Sequence, residues 1–150
     1  MKKGVFSILL AGVLLAVALV GCGGKKPFTV DEVVEGLNGS NAFSETLEGM
    51  ERSVFVRYYG LDNEALEDGA AYGSTGATAE EFAVLVFVDE AGAEAAEAVL
   101  RAHVSDQLEA NRDYRPGDIP KLEKAVVERR ENTLLLLVAN DYEAADKALG

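Results

Sequence analysis

Glu81-Phe82-Ala83-Val84-Leu85-Val86-Phe87-Val88 is the stretch on which the fold turns. Side chains alternate between the two faces of an extended strand. Phe82, Val84, Val86 and Val88 therefore share one side, and Ala83, Leu85 and Phe87 the other. Both sides are apolar, so this strand has to lie inside a sheet that is covered on both faces. Leu134-Leu135-Leu136-Leu137-Val138 has the same character and makes a second central strand, from Thr133 to Ala139.

Working outward, Lys124 to Arg129 reads as a strand joined tightly to Thr133 through Arg130-Glu131-Asn132. A shorter strand runs from Glu67 to Tyr72, and Gly73-Ser74-Thr75-Gly76 is a loop. Glu90 to Asn111, rich in Ala and Glu, is a long helix with Ala93, Ala96, Leu100, Val104 and Leu108 as its buried stripe. Arg115-Pro116-Gly117-Asp118 ends it.

Thr29 and Glu32 form a capping box ahead of a short helix from Val30 to Leu37, and Asn38-Gly39-Ser40-Asn41 is a turn. A second helix is expected from Glu45 to Tyr59, with Leu47, Met50, Val54, Phe55 and Tyr58 on one face and Gly60 as its stop. Val54-Phe55-Val56 also suits a strand. A last amphipathic helix spans Tyr142 to Leu149.

The expected order is α-α-β-β-α-β-β-α. Hairpins make the strands antiparallel, and burying the two apolar strands gives a four-stranded sheet of order 1-2-4-3. This is an α+β layered domain and not a parallel nucleotide-binding sheet.

Ahead of the domain, Lys2 and Lys3 precede an apolar run from Val5 to Val20, followed by Leu19-Val20-Gly21-Cys22. A basic start, an apolar stretch and a small residue before the cut compose a secretory signal. The last four residues resemble the bacterial lipobox at every position, in which the Cys thiol receives a diacylglycerol and a peptidase cuts between Gly21 and Cys22. The organisation expected is a signal peptide over 1–21, a lipidated Cys22 with its tether over 22–28, and one α+β domain over 29–150. The competing readings are an uncleaved membrane helix, for which the apolar run approaches the required length of about 18 residues, and an ordinary cysteine after a normal signal. Two acyl chains hold a protein on a membrane stably where one does not. Gly23-Gly24-Lys25-Lys26-Pro27 would keep the domain near the lipid surface, with its lysines toward anionic head groups.

Removing residues 1–21 takes Lys2 and Lys3 from the 14 basic residues and leaves 12 against 26 acidic ones, a net charge of −14. So acidic a domain is repelled by phosphate backbones and by anionic membrane, which argues against nucleic acid as a partner. Cys22 is the single cysteine. Once lipidated it leaves no disulfide, and stability has to come from one packed core. The chain is too small for a two-lobed solute-binding protein.

His103 is the single histidine and sits beside the buried stripe of the long helix. With no second histidine and no free cysteine it completes neither a zinc site nor a nucleophile–base pair. Gln107 lies one turn on and Tyr114 closes the helix, so these three could line a small polar groove near Glu81. Gly73-Ser74-Thr75-Gly76 hints at a phosphate cradle but lacks the Walker lysine and joins two strands, which suits a hairpin loop better. Asp62, Asn63, Glu64, Glu67 and Asp68 gather oxygens suited to calcium, at a spacing that fits no EF-hand and that reads as a solvated acidic surface. Glu80 and Glu81 would suit a pair of hydrolytic acids, except that neighbours in a strand point to opposite faces. No catalytic residue, metal site or cofactor is assigned.

From Tyr59-Gly60-Leu61-Asp62 onward the chain resembles a bacterial lipoprotein family of unknown function, DUF family 4358. The resemblance rests on Ser74-Thr75-Gly76-Ala77-Thr78-Ala79-Glu80-Glu81-Phe82-Ala83-Val84, on Tyr114-Arg115-Pro116 and on Pro120-Lys121-Leu122-Glu123-Lys124-Ala125-Val126-Val127, with the strand ending at Asn140-Asp141. In that pattern a Lys usually stands at the position of Val86 and an Arg at that of His103. If those groups normally meet Glu81 or a ligand, this chain has lost or replaced that charge arrangement. The resemblance implies a location and a fold and supplies no activity.

The expectation is therefore a lipoprotein anchored to membrane lipid through acylated Cys22 on the extracytoplasmic face of the cell membrane. Its domain would be a binding or protein-interaction module with an envelope protein as partner. The alternative is a small envelope enzyme or ligand sensor with a polar site near Glu81, His103 and Tyr114.

Overall fold

The structure, a computed structural model, describes residues 24–150. Gly21, Cys22 and the signal peptide lie outside the described residues. The elements run α1 Val30–Asn38, β1 Glu48–Gly49, α2 Arg52–Tyr59, β2 Leu66–Gly73, β3 Glu81–Phe87, α3 Glu90–Tyr114, a 3-10 turn Pro116–Asp118, α4 Ile119–Glu123, β4 Val126–Arg130, β5 Thr133–Val138 and α5 Tyr142–Leu149. The fold is α+β, with one antiparallel sheet of order β1-β2-β3-β5-β4.

The four expected strands stand in the expected order, and β1 adds a fifth at the edge beside β2. Every residue of β5 is buried, as are Glu81 through Leu85 and Phe87 of β3. Ala83, Leu85, Phe87, Leu134 and Leu136 pack toward α2 and α3 with Phe55, Tyr59 and Leu100. Phe82, Val84, Leu135 and Leu137 pack the other way, against Val33 and Leu37 of α1 and Ala145 of α5. The result is three layers with the sheet in the middle, each face burying apolar surface worth about 25 cal/mol per Å².

The second helix corrects the sequence reading. It begins at Arg52 and not at Glu45, and its buried face is Phe55 and Tyr59, while Val54 and Tyr58 are exposed. The physical reason is that Leu47 is buried on the α1/α5 side of the sheet and Phe55 on the opposite side. One continuous helix cannot serve both. The chain crosses the sheet edge instead, with Glu48 and Gly49 opposite Gly73 and Tyr72 and the Met50 amide donating to the Ala71 carbonyl at 2.8 Å. A side chain at position 49 would press on the Tyr72 ring at 3.3 Å, so Gly suits the crossing.

Caps differ as well. Thr29 precedes α1 in an extended conformation, yet its side chain makes no capping bond, so the expected box with Glu32 does not form. Asp89 and Asp141 do cap α3 and α5, accepting from the Gly92 amide at 2.7 Å and the Ala144 amide at 3.0 Å. Gly60 ends α2 in the left-handed region at φ 74°, a conformation glycine adopts without steric cost. Helix α3 buries His103 and Asn111 along with Ala93, Ala96 and Leu100, whereas Val104 and Leu108 are only half-buried. The short helix α4 was not anticipated. It packs against α3 after Arg115-Pro116 breaks the long helix.

No helix among the described residues is long and apolar enough to cross a membrane.

Candidate functional site

Strand alternation splits Glu80 and Glu81, at the start of β3, onto opposite faces of the sheet. Each carboxylate is buried and each meets its own set of partners.

Glu80 is enclosed completely. Lys121 of α4 places Nζ 2.6 Å from Glu80 Oε1, and the Ser44 hydroxyl donates to the same oxygen at 2.6 Å. The Ser44 amide donates to Oε2 at 2.8 Å. Asp118 stands 3.2 Å from the same ammonium and accepts the Ala79 amide at 2.9 Å. Burial pulls the Lys121 pKa down, but its bonds to Glu80 and Asp118 outweigh burial and hold it above the ordinary lysine value.

Glu81 faces α2 and α3. His103 Nε2 lies 2.7 Å from Oε1, and the Tyr59 hydroxyl donates to Oε2 at 2.8 Å. The His103 ring is bracketed edge-on by Tyr58 and Tyr59, with centroids 5.0 and 4.9 Å away. Burial, then the Glu81 charge, drives the Tyr59 phenol well above its usual pKa. The half-exposed Tyr58 is pushed up to about 12 by the same two causes, so both stay neutral hydrogen-bond donors at ordinary pH.

Beside this cluster a cleft of about 210 Å³ opens to solvent. Tyr58, Gln107, Arg115 and the 73–80 loop form its walls, and Glu80 and Glu81 reach its lining. Arg115 spans the mouth by donating to the Thr78 carbonyl at 3.1 Å and the Gly76 carbonyl at 2.7 Å. Gln107 accepts from Asn111. The cleft thus offers a carboxylate, a phenol, an amide and a guanidinium within one small volume, which can hold a polar group but contains no free nucleophile.

Of the residues singled out from sequence, Glu81 and His103 are bonded to each other, and Gln107 joins Glu81 in the cleft wall. Tyr114 does not join them. It is 75% exposed, and its ring lies under the Arg115 guanidinium at 4.9 Å. The loop Gly73-Ser74-Thr75-Gly76 is the β2–β3 connection, and Ser74 Oγ accepts the Gly76 and Thr78 amides at 3.2 and 3.0 Å. Those two amides are therefore turned inward and cannot cradle a phosphate. Asp62, Glu64, Glu67 and Asp68 are exposed, and among the described residues no three His, Cys, Asp or Glu side chains converge on a metal position.

Val86 stands five strand positions from Glu81, about 17 Å along β3. It has no part in the Glu81 arrangement, whereas His103 is in direct contact with it.

Residues 42–139, well over half of the chain, match the model of a family described as a domain of unknown function, DUF4358. The chain belongs to this family. No curated protein and no solved structure matches it. The DUF4358 stretch takes in the sheet and helices α2 to α4, while α1 and α5, which pack on each other over one face, lie outside it. The three segments that carried the resemblance, 74–84, 114–116 and 120–127, meet at this pole of the DUF4358 domain. Arg115 grips the loop, and Lys121 grips Glu80.

Sequence reasoning missed Tyr58, Tyr59, Arg115, Ser44, Asp118 and Lys121 as members of the site. The one usable signal was Phe55 with Tyr59 at i, i+4, which marks a buried helix face ending in a hydroxyl. Nothing local distinguishes Lys121 from a solvated lysine.

Proposed function

We propose that the chain is a lipoprotein precursor cut before Cys22 and anchored by a diacylglycerol on that residue at the extracytoplasmic face of the cell membrane. Its DUF4358 domain acts as a binding module for an envelope protein through the cleft at the Glu81 pole. What supports the anchor is the lipobox Leu19-Val20-Gly21-Cys22 after an apolar run. The observation that carries the binding role is the cleft itself. Half-exposed Tyr58 and Arg115 line it, with exposed Tyr114 under the Arg115 guanidinium beside it, and Tyr and Arg are the residue types that dominate binding energy at protein interfaces. Buried bonds behind them, from Glu81 to Tyr59 and His103, hold the wall rigid.

The test is photo-crosslinking from position 58 in intact cells, with a Cys22→Ala control. A single reproducible adduct that vanishes in the control is the expected result. An adduct pattern identical in Cys22→Ala cells counts against the anchored interaction. Cys22→Ala should also leave the precursor uncut and without diacylglycerol, read by intact mass.

The buried Glu81–His103 pair favours one second reading, an envelope enzyme or ligand sensor, because a carboxylate beside an imidazole is a common proton-handling arrangement. His103→Gln and Glu81→Gln together, if they leave the cellular phenotype unchanged while the chain still folds, remove that reading.

A further inference from the structure

The segment after Cys22 looks in sequence like a loose tether, but most of it is fastened to the domain. The Phe28 amide donates to Thr133 Oγ1 at 2.9 Å, and the Arg130 guanidinium lies over the Phe28 ring at 3.9 Å. Arg130 also donates to the Lys26 carbonyl at 3.4 Å, and Lys25 Nζ lies 3.1 Å from Glu128 Oε1. Only Gly23 and Gly24 separate Cys22 from Lys25. At most about 3.5 Å per residue, Cys22 is within about 11 Å of the Lys25 backbone, which is itself tied to the β4–β5 hairpin through its side chain.

The hairpin and the cleft at the Glu81 pole sit at opposite ends of the sheet. Register pairs Glu81 with Val138 and Val86 with Thr133, so the tether is bound where β5 begins and the cleft opens where β5 ends. Helix α3 spans the same interval. It starts at Glu90, just after β3 leaves the tether end, and its 25 residues carry it about 37 Å to Tyr114 at the cleft end.

Charge is distributed unevenly around the tether pole. Lys26, Arg130 and Lys147 line a cleft of about 460 Å³ between the tether, α1 and the end of α5, with Glu32 as the opposing acid. Arg130 and Lys25 are held by Glu128, whereas Lys26 and Lys147 make no ion pair among the described residues. Exposed acids lie on both sides of the sheet, Asp31, Glu32, Glu35, Glu143 and Asp146 on α1 and α5, and Asp89 and Glu90 at the start of α3, so the cations are confined to the cleft itself.

We infer that this cleft rests on an anionic phospholipid surface, so that the domain stands on the membrane by its β4–β5 end and presents the Glu81 pole outward. The inference rests on the lipid anchor proposed above. The anchor supplies proximity, the pinned tether supplies the orientation, and Lys26 and Lys147 supply attraction to lipid phosphate.

Lipidation occupies Cys22, so an introduced cysteine is the single free thiol, which makes the orientation measurable. The mature lipidated chain, labelled with a fluorophore at Thr29→Cys, an exposed cleft position whose side chain makes no capping bond, or at Tyr114→Cys, is reconstituted in phosphatidylglycerol-containing vesicles that carry headgroup nitroxide quenchers. The expected result is strong quenching at 29 and little at 114, with Lys26→Glu lowering the signal at 29 by about fivefold on phosphatidylglycerol but not on phosphatidylcholine. Equal quenching at the two positions, or stronger quenching at 114, overturns the inference and leaves the anchor standing. An intact mass without diacylglycerol on Cys22 overturns both.

Discussion

Glu80 and Glu81 are chain neighbours, equally buried, and yet held in different ways. Glu80 meets a full ammonium from α4 and two donors from Ser44. Glu81 meets an imidazole and a phenol and borders an open cleft. The first arrangement clamps the 42–44 loop and α4 to the end of β3 and leaves little exposed. The second borders solvent-accessible groups that a partner can reach. Both residues reach the cleft lining, but one peptide step at a strand end gives them different partners, a lysine clamp for Glu80 and an aromatic cluster for Glu81, because the pleat sends successive side chains to different layers.

The strongest way to break this comparison is Lys121→Met. It leaves Glu80 buried without its counter-charge and should cost about 3–5 kcal/mol in chemical denaturation. Adding Glu80→Gln should restore part of that, since a neutral amide needs no counter-charge and its oxygen still accepts from Ser44. A Lys121→Met chain as stable as the parent would mean that Glu80 is not clamped as described.

Glu81→Leu is the matching test on the other face. It strands two buried donors, at about 1–3 kcal/mol for each that finds no new acceptor, and it should also weaken the cross-link from position 58. Loss of stability with an unchanged cross-link would make the Glu81 cluster as purely structural as the Glu80 one.

Alkaline titration sharpens the contrast with a smaller effect. Lys121 has a raised folded pKa, so its contribution is complete below about pH 10.5 and is lost as pH rises through the folded value. Tyr59 is also raised, from 10.0, and there the unfolded phenol ionises first, so stability again falls above pH 10. Tyr59→Phe, which itself costs about 1 kcal/mol, should remove the second part of the alkaline loss and leave the first. An alkaline limb that Tyr59→Phe leaves wholly unchanged would show that the phenol carries none of it.

Much of the sheet was legible because it depends on local pattern. The two strands with both faces apolar, Glu81–Phe87 and Thr133–Val138, have few other ways to be buried, and the hairpin turn between β4 and β5 sets their neighbours. The segment from Glu45 to Met50 was not legible. Its apolar residues satisfy a helical period, yet Leu47 and Phe55 belong to different layers, and periodicity says nothing about which layer receives a side chain.

The same boundary runs through the site. The sequence by itself determined the α+β class, the central strands, the acidic balance, the lipobox pattern at Cys22 and the separation of Glu80 from Glu81, all of which follow from spacing and composition over a few residues. Only the tertiary structure decided that Lys121 and Ser44 meet Glu80, that His103 and Tyr59 meet Glu81, that Tyr114 turns outward, and that Lys25 to Phe28 bind the β4–β5 hairpin. Those partners lie between 22 and 105 positions apart. A pairing over such distances is set by how layers pack and where buried charge finds its complement, which no local pattern encodes.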